Sequence, residues 1–354
     1  MKKFVQILFL IFIINFTGSA QWRKVLEAPY LKLTEFSYIN KNLIFISGND
    51  GKILKTTDNC NSFNDLHTGT PSNLVGIKAF NEDLIYALSQ SNVFIKTTDG
   101  GNSFLLDSLE EGIGDAMSMY FLDQNVGYVL TNGSGSSKLL KTSDAGTNWR
   151  VVLNIPSVLK SMYFNDATHG CVAGGGAGVL NLYYTKDGEN FIKGVNPSFG
   201  QYQYTKFIIE TIHMCDSNIV YASGWGSTYL GLQPTIFLKS TNGGETWVYQ
   251  EQLIENRTYE TVYGLAFKDA NNGIAIGGGS RGARILKTSD GGLNWLPQYK
   301  PLGCILRNIF SKNDTLWILG DGAFIAISND FFNNYQIKSS LHSTGLYSIK
   351  WVTE

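Results

Sequence analysis

A segment of the pattern Ser/Thr-x-Asp-x-Gly-x-x-aromatic recurs seven times along this chain, and such a recurrence restricts the fold to an array of like units. Three copies are complete: Thr97 to Phe104, Thr142 to Trp149 and Thr288 to Trp295. Four depart at one slot. Thr56 to Phe63 has Cys60 for Gly, Thr185 to Phe191 is one residue shorter, Ser240 to Trp247 has Asn242 for Asp, and Ser328 to Tyr335 has Phe332 for Gly. The Asp slots, at Asp58, Asp99, Asp144, Asp187, Asn242, Asp290 and Asp330, are separated by 41, 45, 43, 55, 48 and 40 residues. A period of that length is the spacing of propeller blades.

The contents of one unit support this reading. In the sixth, Val262 to Phe267, Gly273 to Ile276, Arg284 to Thr288 and Trp295 to Tyr299 are short strand-like runs separated by turn residues. The second unit repeats the plan through Leu74 to Phe80, Leu84 to Leu88, Val93 to Thr97 and Phe104 onward. Four antiparallel strands, a to d from the axis outward, make one blade, and radial arrangement protects the edges. The expected fold is all-β: a seven-bladed propeller of four-stranded antiparallel blades, with the repeated turn between strands c and d. A strand-d fragment at Trp22 to Val25 and a strand-a fragment at Leu346 to Lys350 look like repeat pieces that close the ring.

The turn chemistry explains the motif. An Asp carboxylate accepts hydrogen bonds from backbone N–H groups ahead of it, Gly supplies a positive φ, and the aromatic residue starts strand d and packs into the blade. A carboxylate repeated on every blade occupies equivalent outer places and cannot converge on one substrate. Asn242 keeps the acceptor oxygen without the charge, which suits a turn and not a general acid. All seven slot residues are therefore expected to be structural.

These segments are Asp-boxes of the BNR type, and the chain resembles the repeat propellers typified by the photosystem II assembly and stability factors and their non-photosynthetic bacterial relatives. The resemblance implies the fold over nearly the whole mature chain. It implies a binding or assembly role less specifically, because sialidases, xyloglucanases and sortilin-type receptors share the box.

The first twenty residues read differently. Lys2 and Lys3 precede an apolar run from Phe4 to Ile14, and Gly18-Ser19-Ala20 offers a cleavage site, so residues 1–20 are expected to be a secretory signal peptide. Residues 21–354 then form one propeller domain, exported to the periplasm or beyond, monomeric and without a membrane segment. Gly at 38 of 354 residues serves many turns, and a net charge of −1 without a basic run gives a nucleic-acid partner no electrostatic support. The four cysteines, Cys60, Cys171, Cys215 and Cys304, lack framework spacing. Cys171 and Cys215 fall in neighbouring units and could meet; otherwise the thiols are fillers or free.

No catalytic constellation emerges. His67, His169, His213 and His342 are scattered, with no metal-ligand spacing, so neither a metal nor a cofactor is expected. Gly174-Gly175-Gly176 and Gly277-Gly278-Gly279 read as turns between strands b and c. Sialidase chemistry needs three arginines on a carboxylate, and the mature chain has only Arg23, Arg150, Arg257, Arg281, Arg284 and Arg307. Glycoside hydrolysis remains the alternative to a non-catalytic binding propeller for a protein, peptide or glycan.

Connections d–a and b–c open on one face. The longest interval, 187 to 242, places extra residues there: Lys193 to Thr205, with Tyr202 and Tyr204, and Gly224 to Pro234, with Trp225 and Tyr229. The next units add Arg257 and Tyr259, then Arg281 and Arg284. Loops rich in Tyr, Trp and Arg have the composition of recognition surfaces, and these eight residues are the candidate binding set.

Overall fold

The computed structural model describes residues 31–110, 112–200, 204–229, 233–250, 260–279, 282–298, 302–312 and 314–339. They form seven sheets, each of four strands consecutive in sequence and antiparallel throughout, which is the seven-bladed propeller expected. The blades follow chain order around the axis, with strand a innermost. The inner strands are Leu33–Tyr38, Leu74–Ala79, Asp115–Phe121, Leu159–Phe164, Tyr204–Met214, Glu260–Phe267 and Leu306–Lys312. Blade seven closes on blade one. Asn308 Nδ2 donates to Thr34 O at 3.0 Å, and Trp317, Leu319 and Ile325 share a core with Leu33, Phe36 and Ile46. The terminal fragments expected to complete the closure lie outside the described residues.

Strand b of each blade is almost wholly buried, and its second residue commonly cements the next blade. Tyr128 lies on Phe164 of blade four with centroids 3.9 Å apart, and its hydroxyl donates to Gly188 O at 2.8 Å. Tyr221 repeats the arrangement two boundaries later, between blades five and six, 3.9 Å from Phe267 and donating to Ala270 O and Gly291 O at 2.7 and 3.1 Å. Stacked rings contribute beyond their buried area, and the hydroxyl satisfies carbonyls that the turn would otherwise bury unpaired.

The repeated turns show why seven sequences fold alike. In blade three, Asp144 Oδ1 accepts from Asn148 N at 2.9 Å, Thr142 Oγ1 donates to the same oxygen at 2.9 Å, and Gly146 N donates to Thr142 Oγ1 at 3.0 Å. Asp58, Asp99, Asp290 and Asp330 likewise accept from the backbone N–H four residues on, and Asn242 Oδ1 accepts from Thr246 N at 3.0 Å. In the shortened copy Asp187 accepts from Glu189 N and Asn190 N at 2.8 and 2.7 Å. In the full-length copies both residues after the slot are left-handed, not the Gly position alone: Asn59 and Cys60 have φ of 57° and 61°, Phe331 and Phe332 of 50° and 66°. Burial offsets that strain. Cys60 is fully enclosed and Phe332 is 2% exposed, each filling the boundary with the preceding blade.

One expectation about loops is corrected. Gly174 and Gly175, and Gly277 to Gly279, belong to strand b (Gly170–Gly175 and Gly273–Gly279) and are not turn residues. The four cysteines are free, so the contact considered between Cys171 and Cys215 does not form a disulfide. Cys171 is buried with Sγ 3.4 Å from Gly243 O, whereas Cys215 faces Asp269 O at 3.8 Å.

Candidate functional site

Each inner strand carries the same irregularity, a residue left out of the pairing with strand b, and the long inner strand of blade five has a second one at Thr205. The register skips Thr34, Val75, Met117, Lys160, Glu210, Tyr263 and Arg307 in blades one to seven. A bulge re-aims the side chain it carries. All seven are half-buried, each follows a buried apolar residue, and all seven line one central cavity of about 1220 Å³.

The bulge is possible because strand b gives way opposite it. Gly48, Gly174, Gly224, Gly277 and Gly320 pair with the residue just before the bulge, and Ser89 and Thr131 stand there in blades two and three. A Cβ on Gly224 would stand 1.9 Å from Ile208 O, and one on Gly277 1.9 Å from Thr261 O. These are close-approach glycines, which is why the triplets looked like turns in the sequence.

Seven different side chains therefore stand at equivalent places around the axis. Blades one to three offer Thr34, Val75 and Met117. Blades four to seven are ionic or aromatic. Lys160 Nζ bridges both oxygens of Glu210 at 3.0 and 2.9 Å, and Arg307 holds Asp321 through two bonds of 2.9 Å while its guanidinium covers Tyr263 at 4.7 Å. The Asp321 hydrogen bond, the largest influence, holds the Arg307 guanidinium above its ordinary range.

Deeper in the channel, Glu35 sits at a position that is Gly, Ser, Thr or Asn in the other blades. Burial pushes its carboxyl up to about 8, although the Ile77 N–H and Lys78 oppose the shift. Burial lowers Lys78 and brings His213 down to about 4, so that this imidazole is neutral between Tyr163 and Phe267, 4.9 and 5.7 Å away.

The candidate binding residues fare unevenly. Blade five is extended: its inner strand runs eleven residues and its second, Val220–Thr228, nine, against six to eight for the other inner strands. Tyr204 and Trp225 thus belong to strands, not to the loops expected, because Gly224 and Gly226 permit close packing instead of a turn. The extension leans on blade four, where Gly178 N donates to Thr205 O at 2.8 Å and Phe207 N to Gly176 O at 3.0 Å. Tyr204 packs into a cluster with Phe199, Phe207 and Tyr249, in which Phe199 stands about 5 Å from each of the other three rings and Tyr204 5.0 Å from Phe207, and it is not presented to the channel.

Trp225 does join the ring: its Nε1 donates to Glu210 Oε1 at 3.2 Å, and Lys206 Nζ lies 5.1 Å over its rings. Tyr229 is 78% exposed at the end of the same hairpin. Arg284 is half-buried on strand c of blade six, opposite Gly277. Tyr202, Arg257, Tyr259 and Arg281 lie outside the described residues. Among the arginines, Arg307 lines the channel, whereas Arg150 is on an outer strand paired with Glu189. No group of three metal-ligating side chains gathers among the described residues, and no helix there is long and apolar enough to cross a membrane.

No family model matches the chain, and no curated protein does. Solved structures do. YCF48 from Cyanidioschyzon merolae is similar at 16% identity and a TM-score of 0.66, covering 89% of this chain and all 100% of that one. A structure of YCF48 bound to D1 peptide is similar at 15% identity and 0.65, over 85% and 93% of the two chains. U3-55K gives 12% identity and 0.60 over 84% and 91%. At these identities the likeness is one of fold: the chain has the propeller architecture seen in the photosystem II assembly factor YCF48.

Proposed function

We propose that the mature chain is an exported binding propeller that takes a protein or peptide partner at the channel mouth on the face where the d–a and b–c connections open. The observation that carries this reading is the ring of unlike side chains. Groups that only build the blade repeat, as the turn carboxylates do; groups that read a ligand need to differ around it. The YCF48 structure that holds a D1 peptide shares this fold and supports a peptide as the partner class. Tyr229, Arg284 and the residues expected at Tyr202, Arg257, Tyr259 and Arg281 would extend the surface around the mouth. A leader of residues 1–20, cleaved after Ala20, would deliver the protein as a monomer outside the cytoplasm.

The test is a pull-down with the purified mature chain, read by mass spectrometry, with N-terminal sequencing of the exported protein. A captured protein competed by a Trp225→Ala-sensitive site supports the reading; capture unaffected by every mouth variant refutes the placement. One observation favours the glycosidase alternative: Glu35 is a channel carboxyl held protonated near neutral pH, as a general acid must be. Turnover of an oligosaccharide that is lost in Glu35→Gln would establish it.

A further inference from the structure

The ring is divided by chemistry. Val75 and Met117 make an apolar arc on blades two and three, and the Lys160–Glu210 and Arg307–Asp321 pairs make an ionic arc on blades four to seven. A cavity of about 1220 Å³ exceeds the roughly 300–1,000 Å³ typical of small-molecule pockets, so the space suits a segment of chain. A sugar carries hydroxyls all around its ring edge and would leave those that meet the Val75 isopropyl group and the Met117 thioether unpaired. A peptide separates the two chemistries onto different side chains.

Resting on the binding reading above, we infer that the seven bulge residues are a specificity ring that reads an extended peptide entering along the axis. An aliphatic side chain of the peptide lies against Val75 and Met117, and a charged one exchanges into the Lys160–Glu210 pair. The ion pairs suit exchange. Each ring charge already holds a partner, so neither sign is left as a bare buried charge in the free protein, and a ligand charge replaces one bond with another of the same kind. Because the bulge residues stand outside the strand ladder, they can be changed without altering the pairing that holds each blade.

The experiment is panning of a random peptide library on the full mature chain and on two variants, Met117→Lys and the charge exchange Lys160→Glu with Glu210→Lys, with melting measured on each. Wild type should enrich peptides with an aliphatic and a charged residue at fixed spacing. Met117→Lys should replace the aliphatic preference with an acidic one and weaken wild-type peptides by about tenfold or more. The charge exchange should invert the ionic preference, with melting temperatures of both variants within about 3 °C of wild type. Folded variants that keep the wild-type peptide preference overturn the ring, as does wild type enriching no peptide or binding only oligosaccharides. The readings fail separately: a protein partner captured equally by wild type and ring variants sinks the ring and leaves the binding function standing.

Discussion

Trp225 and Glu210 are joined by an indole-to-carboxylate hydrogen bond of 3.2 Å that ties the extended hairpin of blade five to the channel ring. The same carboxylate is held by Lys160 from blade four, so one side chain links a wall, a ring position and a blade boundary. Trp225→Ala should weaken partner binding by about 2 kcal/mol or more, as loss of a partly buried aromatic anchor does. Trp225→Phe, which keeps the ring but loses the N–H, should fall between. Calorimetric titration with the captured partner decides it. Equal affinity for all three proteins would remove the hairpin from the site.

Gly224→Ala probes the bulge itself. Its new Cβ would stand 1.9 Å from the Ile208 carbonyl oxygen, a backbone atom that cannot step aside without moving the inner strand. A cost of about 2 kcal/mol or more is expected in denaturant unfolding, with disturbed binding even in the folded fraction. Ser223→Ala next to it, which loses one hydrogen bond of 2.8 Å to Ile236 O, should be milder.

The turn carboxylates predict the acid limb of stability. Ser103 hydrogen bonds hold Asp99 down to about 2, and hydrogen bonds likewise lower Asp144, Asp187, Asp290 and Asp330. A carboxyl whose folded value lies below its unfolded one stabilises above the unfolded value, and that contribution is lost as pH falls through the folded one. Melting temperature should therefore drop between about pH 4 and 2. Asp99→Asn, which imitates Asn242, should flatten that drop; an unchanged acid profile in a multiple Asp→Asn variant would show that these carboxylates do not hold the turns.

Glu35 predicts the opposite slope at the other end. Its folded value of about 8 lies above the unfolded one, so its folded form keeps a proton that the unfolded chain has released. Stability from this group is full below the unfolded value and is lost as pH rises through about 8. Glu35→Gln should melt higher than wild type at pH 8, by on the order of 1–2 kcal/mol after screening by channel water, and the difference should vanish near pH 4. Parallel melting curves across that range would place a charged Glu35 in the channel.

Blade number, strand order and turn chemistry were legible because each was written seven times, and departures such as Asn242, Cys60 and Phe332 still left three complete copies to reveal the rule. The ring was illegible for the opposite reason. Its positions share no residue type, so a search for sameness passes over Thr34, Met117 and Arg307 alike. The signal lay in their neighbours: a buried apolar residue just before, and a Gly, Ser or Thr on the following strand. Tyr204 and Trp225 were placed on loops because Ser223, Gly224 and Gly226 have turn composition. Yet Gly226 is small because Tyr204 lies against it, 2.5 Å from where a Cβ would be.

The unpaired residue in each inner strand also bears on how such a protein changes over generations. A substitution in the ladder must satisfy two strands and two neighbouring blades at once, and most will be purged. A substitution at Val75 or Tyr263 leaves the ladder alone and has fewer neighbours to satisfy, such as the Arg307 guanidinium over Tyr263. Seven such sites, one to a blade, stand outside the ladder, and changing them, the Lys160–Glu210 pair together, would let descendants of this chain drift to new partners while their cores remain superimposable. Divergent inner positions on a conserved skeleton would then record a history of changing ligands, and not a loosening of the fold.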